Sequence, residues 1–290
     1  MRKPRTLRAA RAATGALTVV ATVMTAAVMT PTIAPALPAL SCSEYIVVGV
    51  PGSYEGRSHN PTSTRSEDVY GPEVWQAVKE VNTRLAEHGI GPATSSAVEY
   101  PANLDKDPVS LILNYGGTEY KKSKDAGYSA TYAAVASTCE SSKVILIGYS
   151  QGAHIAGDIA QTIFHSARPI GKERLAGVLL LADPAFNNDS PGTWTFDYVG
   201  STPPFVSVTD YNRAEDAKGS LGSRAAFSTG DPVVSICLNG DAVCAATVEN
   251  ADAQSATVVH TAYKSAELSN TGKSTATWSA DLLIDTIFAG

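Results

Sequence analysis

Residues 143–152 read KVILIGYSQG, an apolar run that leads directly into a serine placed between two glycines. The run is rich in β-branched residues and predicts a buried strand over residues 144–147, and the Ala-rich segment 152–167 predicts a helix. Ser150 would then stand on a sharp strand-to-helix turn, where small neighbours permit a strained backbone and the hydroxyl projects from the sheet edge. Ser150 is therefore a candidate nucleophile rather than only a turn residue.

Strands and helices alternate along the rest of the chain. Apolar runs with β-branched residues predict strands, and apolar residues at helical spacing predict helices. The predicted strands are residues 44–50, 96–100, 144–147, 175–181 and, less clearly marked, 111–115, 203–208 and 233–237; the predicted helices are residues 72–88, 125–139, 152–167, 261–269 and 280–288. This alternation predicts an α/β fold whose central, mainly parallel sheet is flanked by helices.

The first 36 residues are predicted to be a signal peptide. Basic residues between Arg2 and Arg11 precede a nearly uncharged stretch rich in Ala, Val and Thr, and Ala34-Pro35-Ala36 offers a small-x-small cleavage site. A membrane anchor is the alternative, which the weak hydropathy of the stretch and the prolines after it disfavour. Residues 37–290 are long enough for one large domain.

The charge of the chain excludes some classes of partner. The predicted signal peptide holds five of the 22 basic residues and none of the 28 acidic ones, so residues 37–290 carry 17 basic and 28 acidic side chains. A clearly acidic protein is not drawn to nucleic acid or to anionic lipid by its charge. We therefore expect no nucleic acid partner, and cleavage of the signal peptide would leave no stable membrane anchor.

A nucleophilic serine needs a base, and the order of the chain selects one histidine. On a strand-turn-helix serine of this kind, an acid and then a histidine follow the nucleophile in sequence. His59 and His88 precede Ser150, and His154 and His165 lie on the helix that follows it. His260 is the histidine well downstream, so it is the candidate base. A loop histidine bonded to a backbone carbonyl is the alternative.

The four cysteines bear on the choice of acid. Cys42, Cys139, Cys237 and Cys244 predict two disulfides in an exported chain. Cys237 and Cys244 are close enough to close a small loop, which leaves Cys42 with Cys139; the spacings do not match a zinc site. A disulfide across residues 237–244 would hold Asp241 rigidly, as orienting an imidazole requires. Asp183, at the end of a predicted strand, is the other candidate acid.

These motifs together resemble the cutinase family of secreted serine esterases. The similar features are GYSQG, Cys139 shortly before its strand, the cysteine-bounded loop with Asn239-Gly240-Asp241, and His260 downstream. The resemblance implies a cutinase-like α/β-hydrolase domain over residues 37–290. It also implies the triad Ser150, Asp241 and His260, with Asp241 favoured over Asp183.

The resemblance further implies an oxyanion hole. The family uses the backbone N–H after the nucleophile, which is that of Gln151 here, and a hydroxyl residue in a Gly-Ser-x-Glu pattern after the first strand. Gly52-Ser53-Tyr54-Glu55 has this pattern, so Ser53 is the second candidate donor. The arginine that precedes this glycine in the family is replaced by Pro51. A turn serine is the alternative role for Ser53.

The implied activity is hydrolysis of carboxylic esters by a secreted, extracellular monomer, with the cell wall as a further place of action. The expected substrate is an ester in a polyester, a lipid or an acylated glycan, and the chemistry needs no metal or organic cofactor. Acetylxylan esterase, lipase or phospholipase activity, acyl transfer and an inactive binding protein are the alternatives. The stretch 187–230 exceeds a minimal cutinase and is either a flap beside the acyl pocket or an excursion packed on the sheet edge.

Overall fold

The computed structural model describes residues 42–105, 117–196, 198–199, 218–245, 258–268 and 273–289. The predicted signal peptide and the strand candidates at residues 111–115 and 203–208 lie outside these ranges. Among the described helices, none is both long and apolar enough to cross a membrane.

Apolar, β-branched segments form the strands of a parallel sheet. Its strands are β1 (Tyr45–Val50), β2 (Thr94–Ala97), β3 (Lys143–Tyr149), β4 (Leu175–Leu181), β5 (Thr193–Phe196) and β7 (Val233–Leu238). They are arranged in the order β2-β1-β3-β4-β7-β5, and every neighbouring pair is parallel. The short strands β6 (Tyr198–Val199) and β8 (Glu267–Leu268) pair separately and antiparallel. The predicted α/β fold with a mainly parallel sheet is confirmed.

Helices cover both faces of the sheet, which explains why its central strands are apolar on both sides. The helices are α1 (Ser66–Tyr70), α2 (Pro72–Glu87), α3 (Thr118–Ala136), α4 (Gln151–Ser166) and α5 (Thr275–Phe288). Side chains of α2 and α5 pack with Ile145 and Ile147 on one face, and those of α3 and α4 pack with Val144 and Leu146 on the other. The two cores thus hold β3 and the turn that follows it between them.

The predicted helix at residues 261–269 is wrong over the part that the structure describes. Residues 261–266 form turns, and β8 follows them. Ala262 and Tyr263 are both buried, and the Tyr263 hydroxyl contacts Leu238 and Asp241. These long-range contacts outweigh the local periodicity that favoured a helix. Helices α2 to α5 were predicted, although α3 and α5 begin earlier than expected, at Thr118 and Thr275, and the short helix α1 was not predicted.

Both predicted disulfides are present. Cys42 is bonded to Cys139 over 97 residues of sequence, and Cys237 is bonded to Cys244 over seven. The first ties the start of β1 to the loop before β3, and the second closes the loop after β7.

The stretch 187–230 adds a strand that the sequence did not predict. Its segment 193–196 is β5, which pairs in parallel with β7 at the edge of the sheet. The rings of Trp194 and Phe196 contact Trp278 of α5, with ring centroids 5.3 and 4.4 Å apart. Strand β5 therefore packs on the sheet edge, whereas residues 225–227 contact Gln161 and Phe164 of α4. Residues 197 and 200–217, with Phe205 and Tyr211, lie outside the described residues.

Candidate active site

Ser150 stands on a strained turn between β3 and α4. Its backbone angles are φ 53° and ψ −121°, a conformation that costs a non-glycine residue on the order of 1–3 kcal/mol. A Cβ at Gly148 would lie 2.4 Å from the carbonyl oxygen of Gly152, and one at Gly152 would lie 2.0 Å from that of Val50. The Ser150 N–H donates to Leu181 O at 2.9 Å, which fixes the turn to β4. The two glycines are therefore required by close backbone approach.

The structure brings the three predicted triad residues together. Ser150 Oγ lies 3.0 Å from His260 Nε2. On the other side of the ring, His260 Nδ1 lies 3.0 and 2.9 Å from the two carboxylate oxygens of Asp241. All three distances are those of ordinary hydrogen bonds, so the three side chains form one continuous chain of contacts.

Asp241 is fully buried, yet its carboxylate is well supplied with donors. Oδ1 accepts the backbone N–H of Val243 at 2.9 Å, and Oδ2 accepts the hydroxyl of Tyr263 at 2.8 Å. The Tyr263 oxygen in turn accepts the Leu238 N–H at 2.9 Å. These bonds satisfy the oxygens of the buried carboxylate and hold it in one orientation toward the histidine.

Two tyrosines of this site were missed by the sequence reasoning. Besides Tyr263, Tyr149 donates its hydroxyl to the His260 carbonyl oxygen at 2.5 Å, and its ring stacks on the imidazole with centroids 5.1 Å apart. Tyr149 is the first variable residue of the G-x-S-x-G motif, and Tyr263 falls in the segment predicted as a helix. The sequence around each tyrosine does not indicate its role, because each one bonds to residues that are distant in sequence.

Asp183, the other candidate acid, does not contact His260. Its buried carboxylate accepts the Ala185 N–H at 2.9 Å and pairs with Arg224 at 3.1 Å. Burial raises the pKa of Asp183, and the Arg224 guanidinium opposes that rise. Arg224 also donates to the His154 carbonyl oxygen at 2.8 Å, so this ion pair braces α4 from the side of β4.

The remaining histidines lie away from Ser150 Oγ in the described structure. His154 is half-buried on α4 with its Nδ1 at 2.9 Å from the Tyr120 hydroxyl, and burial lowers the pKa of His154 to about 3. The ring nitrogens of His59 and His165 contact backbone carbonyls, and the His88 ring stacks on Phe288.

Both candidate oxyanion donors are groups that could donate a hydrogen bond to a substrate oxygen. The Ser53 hydroxyl oxygen is buried and has no hydrogen-bond partner among the described residues. Gln151 is the first residue of α4, where N–H groups have no partner within the helix. Its buried side chain is held by the hydroxyl of Ser123 at 3.0 Å and by the carbonyl oxygen of Asn103 at 3.2 Å. The Gln151 backbone is thus fixed at the start of the helix.

The family assignment agrees with this geometry. The family model described as Cutinase matches residues 66–278 of the chain. The chain belongs to the cutinase family. A search of curated proteins finds no significant match.

Solved structures with similar folds include three esterases or related proteins. An acetylxylan esterase solved at 0.90 Å resolution has a TM-score of 0.52 and 20% identity, over 85% of this chain and 100% of the other. The catalytic core of an acetylxylan esterase from Trichoderma reesei has a TM-score of 0.47 and 21% identity, and the match covers 77% of this chain and 92% of the other. A cutinase-like protein from Cryptococcus sp. has a TM-score of 0.49 and 15% identity, and the match covers 85% of this chain and 97% of the other.

Membership of the cutinase family makes this protein a carboxylic ester hydrolase. The first of these neighbours supports the same fold.

Proposed function

We propose that the protein is a secreted serine esterase that cleaves carboxylic esters through an acyl-enzyme on Ser150. The observation that carries the proposal is the unbroken contact chain from Ser150 Oγ through the His260 ring to Asp241. A serine hydroxyl is a weak nucleophile unless a base accepts its proton, and a histidine is an effective base only in the correct tautomer.

In the first step, His260 Nε2 accepts the proton of Ser150 as the serine oxygen attacks the ester carbonyl. The Asp241 carboxylate keeps the other ring proton on Nδ1 and stabilises the imidazolium that forms. His260 then gives its proton to the leaving alcohol, and the C–O bond of the ester breaks. The product of this half-reaction is an ester between the acyl group and Ser150.

In the second step, water replaces the alcohol. His260 accepts a proton from the water as the water oxygen attacks the acyl carbon. His260 then gives this proton to Ser150 Oγ, the bond between the acyl carbon and Ser150 breaks, and a carboxylic acid is released. In both steps, negative charge develops on the carbonyl oxygen. The Gln151 N–H and the Ser53 hydroxyl are the proposed donors to this oxygen, and the unsatisfied Ser53 oxygen favours such a ligand because buried hydroxyls are ordinarily hydrogen-bonded.

The proposed substrates are cutin-type polyesters and esters with short to medium acyl chains. The proposed location is extracellular, which two disulfides favour because they persist in oxidising compartments. A panel of p-nitrophenyl esters, tributyrin, polyester film and acetylated xylan would rank these classes. Turnover of acetylated xylan far above that of tributyrin and polyester would redirect the substrate proposal toward acylated glycans.

Labelling with a fluorophosphonate probe tests the catalytic proposal. The wild-type protein should be labelled and should hydrolyse p-nitrophenyl butyrate, and Ser150→Ala should lose both properties. Ser129→Ala, on the exposed side of α3, is the matched control and should behave like wild type. Near-full turnover by Ser150→Ala would contradict the mechanism, and turnover without labelling in wild type would point to a different nucleophile.

A further inference from the structure

Two carboxyl groups, one half-buried and one buried, lie near the proposed oxyanion hole, and the mechanism above uses neither. Glu55 follows Ser53 in the loop of residues 51–55, named here the oxyanion loop. Glu73 lies in the first turn of α2 and is only 2% exposed. Its Oε2 has no hydrogen-bond partner among the described residues. A buried carboxyl group is costly to retain, so its position near a catalytic site calls for a functional explanation.

Glu55 joins the oxyanion loop to the start of α2. Its Oε2 accepts the backbone N–H of Gly52 at 2.9 Å, and its own N–H donates to the Gly52 carbonyl oxygen at 3.3 Å. On the other side, a Cβ at Gly71 would lie only 2.2 Å from Glu55 Oε2. Gly71 also has a φ of 79°, so the junction between α1 and α2 is shaped to admit this carboxylate.

The loop itself is held in a strained form. Tyr54, between Ser53 and Glu55, has a φ of 62°, and its N–H donates to the Ala102 carbonyl oxygen at 2.7 Å. The Tyr100 hydroxyl holds the start of the loop by donating to the Pro51 carbonyl oxygen at 2.6 Å, and Glu55 holds the Gly52 backbone. With Ser53 Oγ unbonded, the position of the proposed oxyanion donor depends on these backbone contacts, of which the Glu55 carboxylate makes the one to the Gly52 N–H.

The charge of Glu55 is set by its neighbours. A cavity of about 390 Å³ beside it is lined by Arg65, Glu67, Asp68 and Lys264 among others. The other titratable groups that interact with Glu55 are Glu73, Tyr100, Tyr149 and His260. Burial raises the pKa of Glu55 to about 7, while the Gly52 N–H, His260 and Lys264 oppose the rise.

Glu73 remains protonated while Glu55 ionises. Burial, followed by the charge of Glu55, raises the pKa of Glu73 to about 8, against the influence of Lys264. Two neighbouring carboxyls release their protons in separate steps, because the first charge disfavours the second. Between pH 7 and 8 the pair therefore carries about one negative charge in total.

Resting on the esterase function proposed above, we propose that Glu55 is a positioning residue: its ionised carboxylate fixes the Gly52–Ser53 turn of the oxyanion loop and faces His260 as a second negative charge. When His260 takes the serine proton, the imidazolium gains a favourable interaction with Glu55 as well as with Asp241. Protonation of Glu55 weakens both effects, since a hydrogen bond to a neutral carboxyl is weaker than one to a carboxylate. Full activity thus requires deprotonation of both His260 and Glu55.

The pH dependence of kcat/KM for p-nitrophenyl butyrate tests the proposal. On a logarithmic plot, the wild-type profile should show the unit slope of the histidine base and, in addition, a drop of roughly five-fold as Glu55 takes up its proton, because the neutral carboxyl makes a weaker hydrogen bond to Gly52. Glu55→Gln keeps an oxygen that can accept the Gly52 N–H but does not titrate, so this additional drop should be absent from its profile. Its kcat at the plateau should fall by roughly five-fold, the difference between a charge-assisted and a neutral hydrogen bond, with little change in KM.

Lys264 provides a second, independent readout. Lys264→Gln removes a cation that favours ionised Glu55, so the additional drop should move to higher pH by roughly half a unit, as expected for a partly exposed charge pair. Because Lys264 also lies near His260 in sequence, the same substitution is made in the Glu55→Gln background, where the shift should be clearly smaller. Lys122→Gln, on the exposed side of α3, is the matched control and should leave the profile in place.

Three results would overturn the proposal. These are an additional drop that persists in Glu55→Gln, an equal loss at every pH with the shape of the profile unchanged, and an identical Lys264→Gln shift in both backgrounds. If Glu55→Gln fails to fold, Glu55→Asp decides: its shorter carboxylate should keep the additional drop while lowering the plateau, and wild-type rates at every pH would count against positioning. Loss of turnover in Ser150→Ala separates the two proposals. Turnover that survives it overturns the esterase mechanism, whereas unchanged Glu55 profiles with an inactive Ser150→Ala overturn only the inference about Glu55.

Discussion

Asp241→Asn should inactivate the enzyme by changing the tautomer of His260. The Val243 N–H is a fixed donor to Oδ1 of Asp241, so the amide oxygen of the substituted asparagine must take that position. The amide nitrogen then replaces Oδ2, where the Tyr263 hydroxyl can rotate to accept from it. This nitrogen faces His260 Nδ1, and the oxygen at the Oδ1 position, 3.0 Å from Nδ1, is already engaged by the Val243 N–H, so Nδ1 is favoured as a hydrogen-bond acceptor. The ring proton moves to Nε2, and the base can no longer take the proton of Ser150.

The expected loss follows from that geometry. An equivalent change of acid to amide in a serine-protease triad lowers kcat by about 10⁴, which is equivalent to about 5 kcal/mol of transition-state stabilisation. We expect a loss of about 10³–10⁴ in kcat with KM little changed, since the acid does not touch the substrate. The assay is p-nitrophenyl butyrate hydrolysis, with ¹⁵N NMR of the labelled histidine to read the tautomer and circular dichroism to monitor folding.

Asp183→Asn is the matched control, because it makes the same change at the other candidate acid. Asp183 and Arg224 form a buried ion pair, and breaking such a pair costs about 3–5 kcal/mol of stability. The free energy of unfolding should therefore fall, while kcat of the folded fraction stays within a few-fold of wild type. If Asp241→Asn kept near-wild-type kcat, or if its His260 retained the proton on Nδ1, the tautomer reasoning would be refuted.

Three further perturbations separate the roles of individual groups. Ser53→Ala should lower kcat by about 10²–10³, the usual cost of one oxyanion donor, with little change in the thermal unfolding midpoint because the hydroxyl has no partner among the described residues; an unchanged kcat would remove Ser53 from the oxyanion hole. Reduction of Cys237–Cys244 should abolish activity at reductant concentrations where far-UV circular dichroism is still native, since it loosens the loop that holds Asp241; simultaneous loss of both signals would contradict this local role. Burial raises the pKa of Glu73 to about 8 from an ordinary 4.5, so between these pH values the folded protein keeps a proton that the unfolded chain has released. The free energy of unfolding should therefore fall as pH rises through this range, and Glu73→Gln should make that fall less steep. An equally steep fall in the variant would assign the pH dependence to other groups.

The elements around Ser150 could be predicted because their signals are local. The apolar run before the serine, the glycines beside it and the Ala-rich segment after it each describe a neighbouring part of the chain, and β3 and α4 lie close to the predicted bounds. The order of the chain then sufficed to select His260, and the cysteines that enclose Asp241 favoured it over Asp183. In the structure, Asp241 contacts His260 and Asp183 does not.

The missed features depend on contacts that are distant in sequence. Residues 261–269 have helical periodicity, but Tyr263 turns inward to bond groups of the loop after β7. Strand β5 is only four residues long, and it is stabilised by pairing with β7 and by aromatic contacts with Trp278. Such pairings leave no pattern within the segment itself.

Glu73 illustrates the same limit at a single residue. An acidic residue in the first turn of a helix is ordinarily explained by the helix dipole and by exposure to solvent. Here the side chain is buried against Glu55 and the backbone of Lys264, which come from two other parts of the chain. Its unusual character arises from the packing of three segments, and the sequence of α2 alone gives no sign of it.

The most direct test of the central claim is to identify the residue that carries the covalent intermediate. The wild-type protein is treated with a p-nitrophenyl alkylphosphonate, which imitates the tetrahedral intermediate, and the modified site is mapped by peptide mass spectrometry. The account predicts one adduct per chain, on Ser150, with release of one equivalent of p-nitrophenol and parallel loss of ester hydrolysis. An adduct on another residue, or full inhibition with Ser150 unmodified, would contradict it.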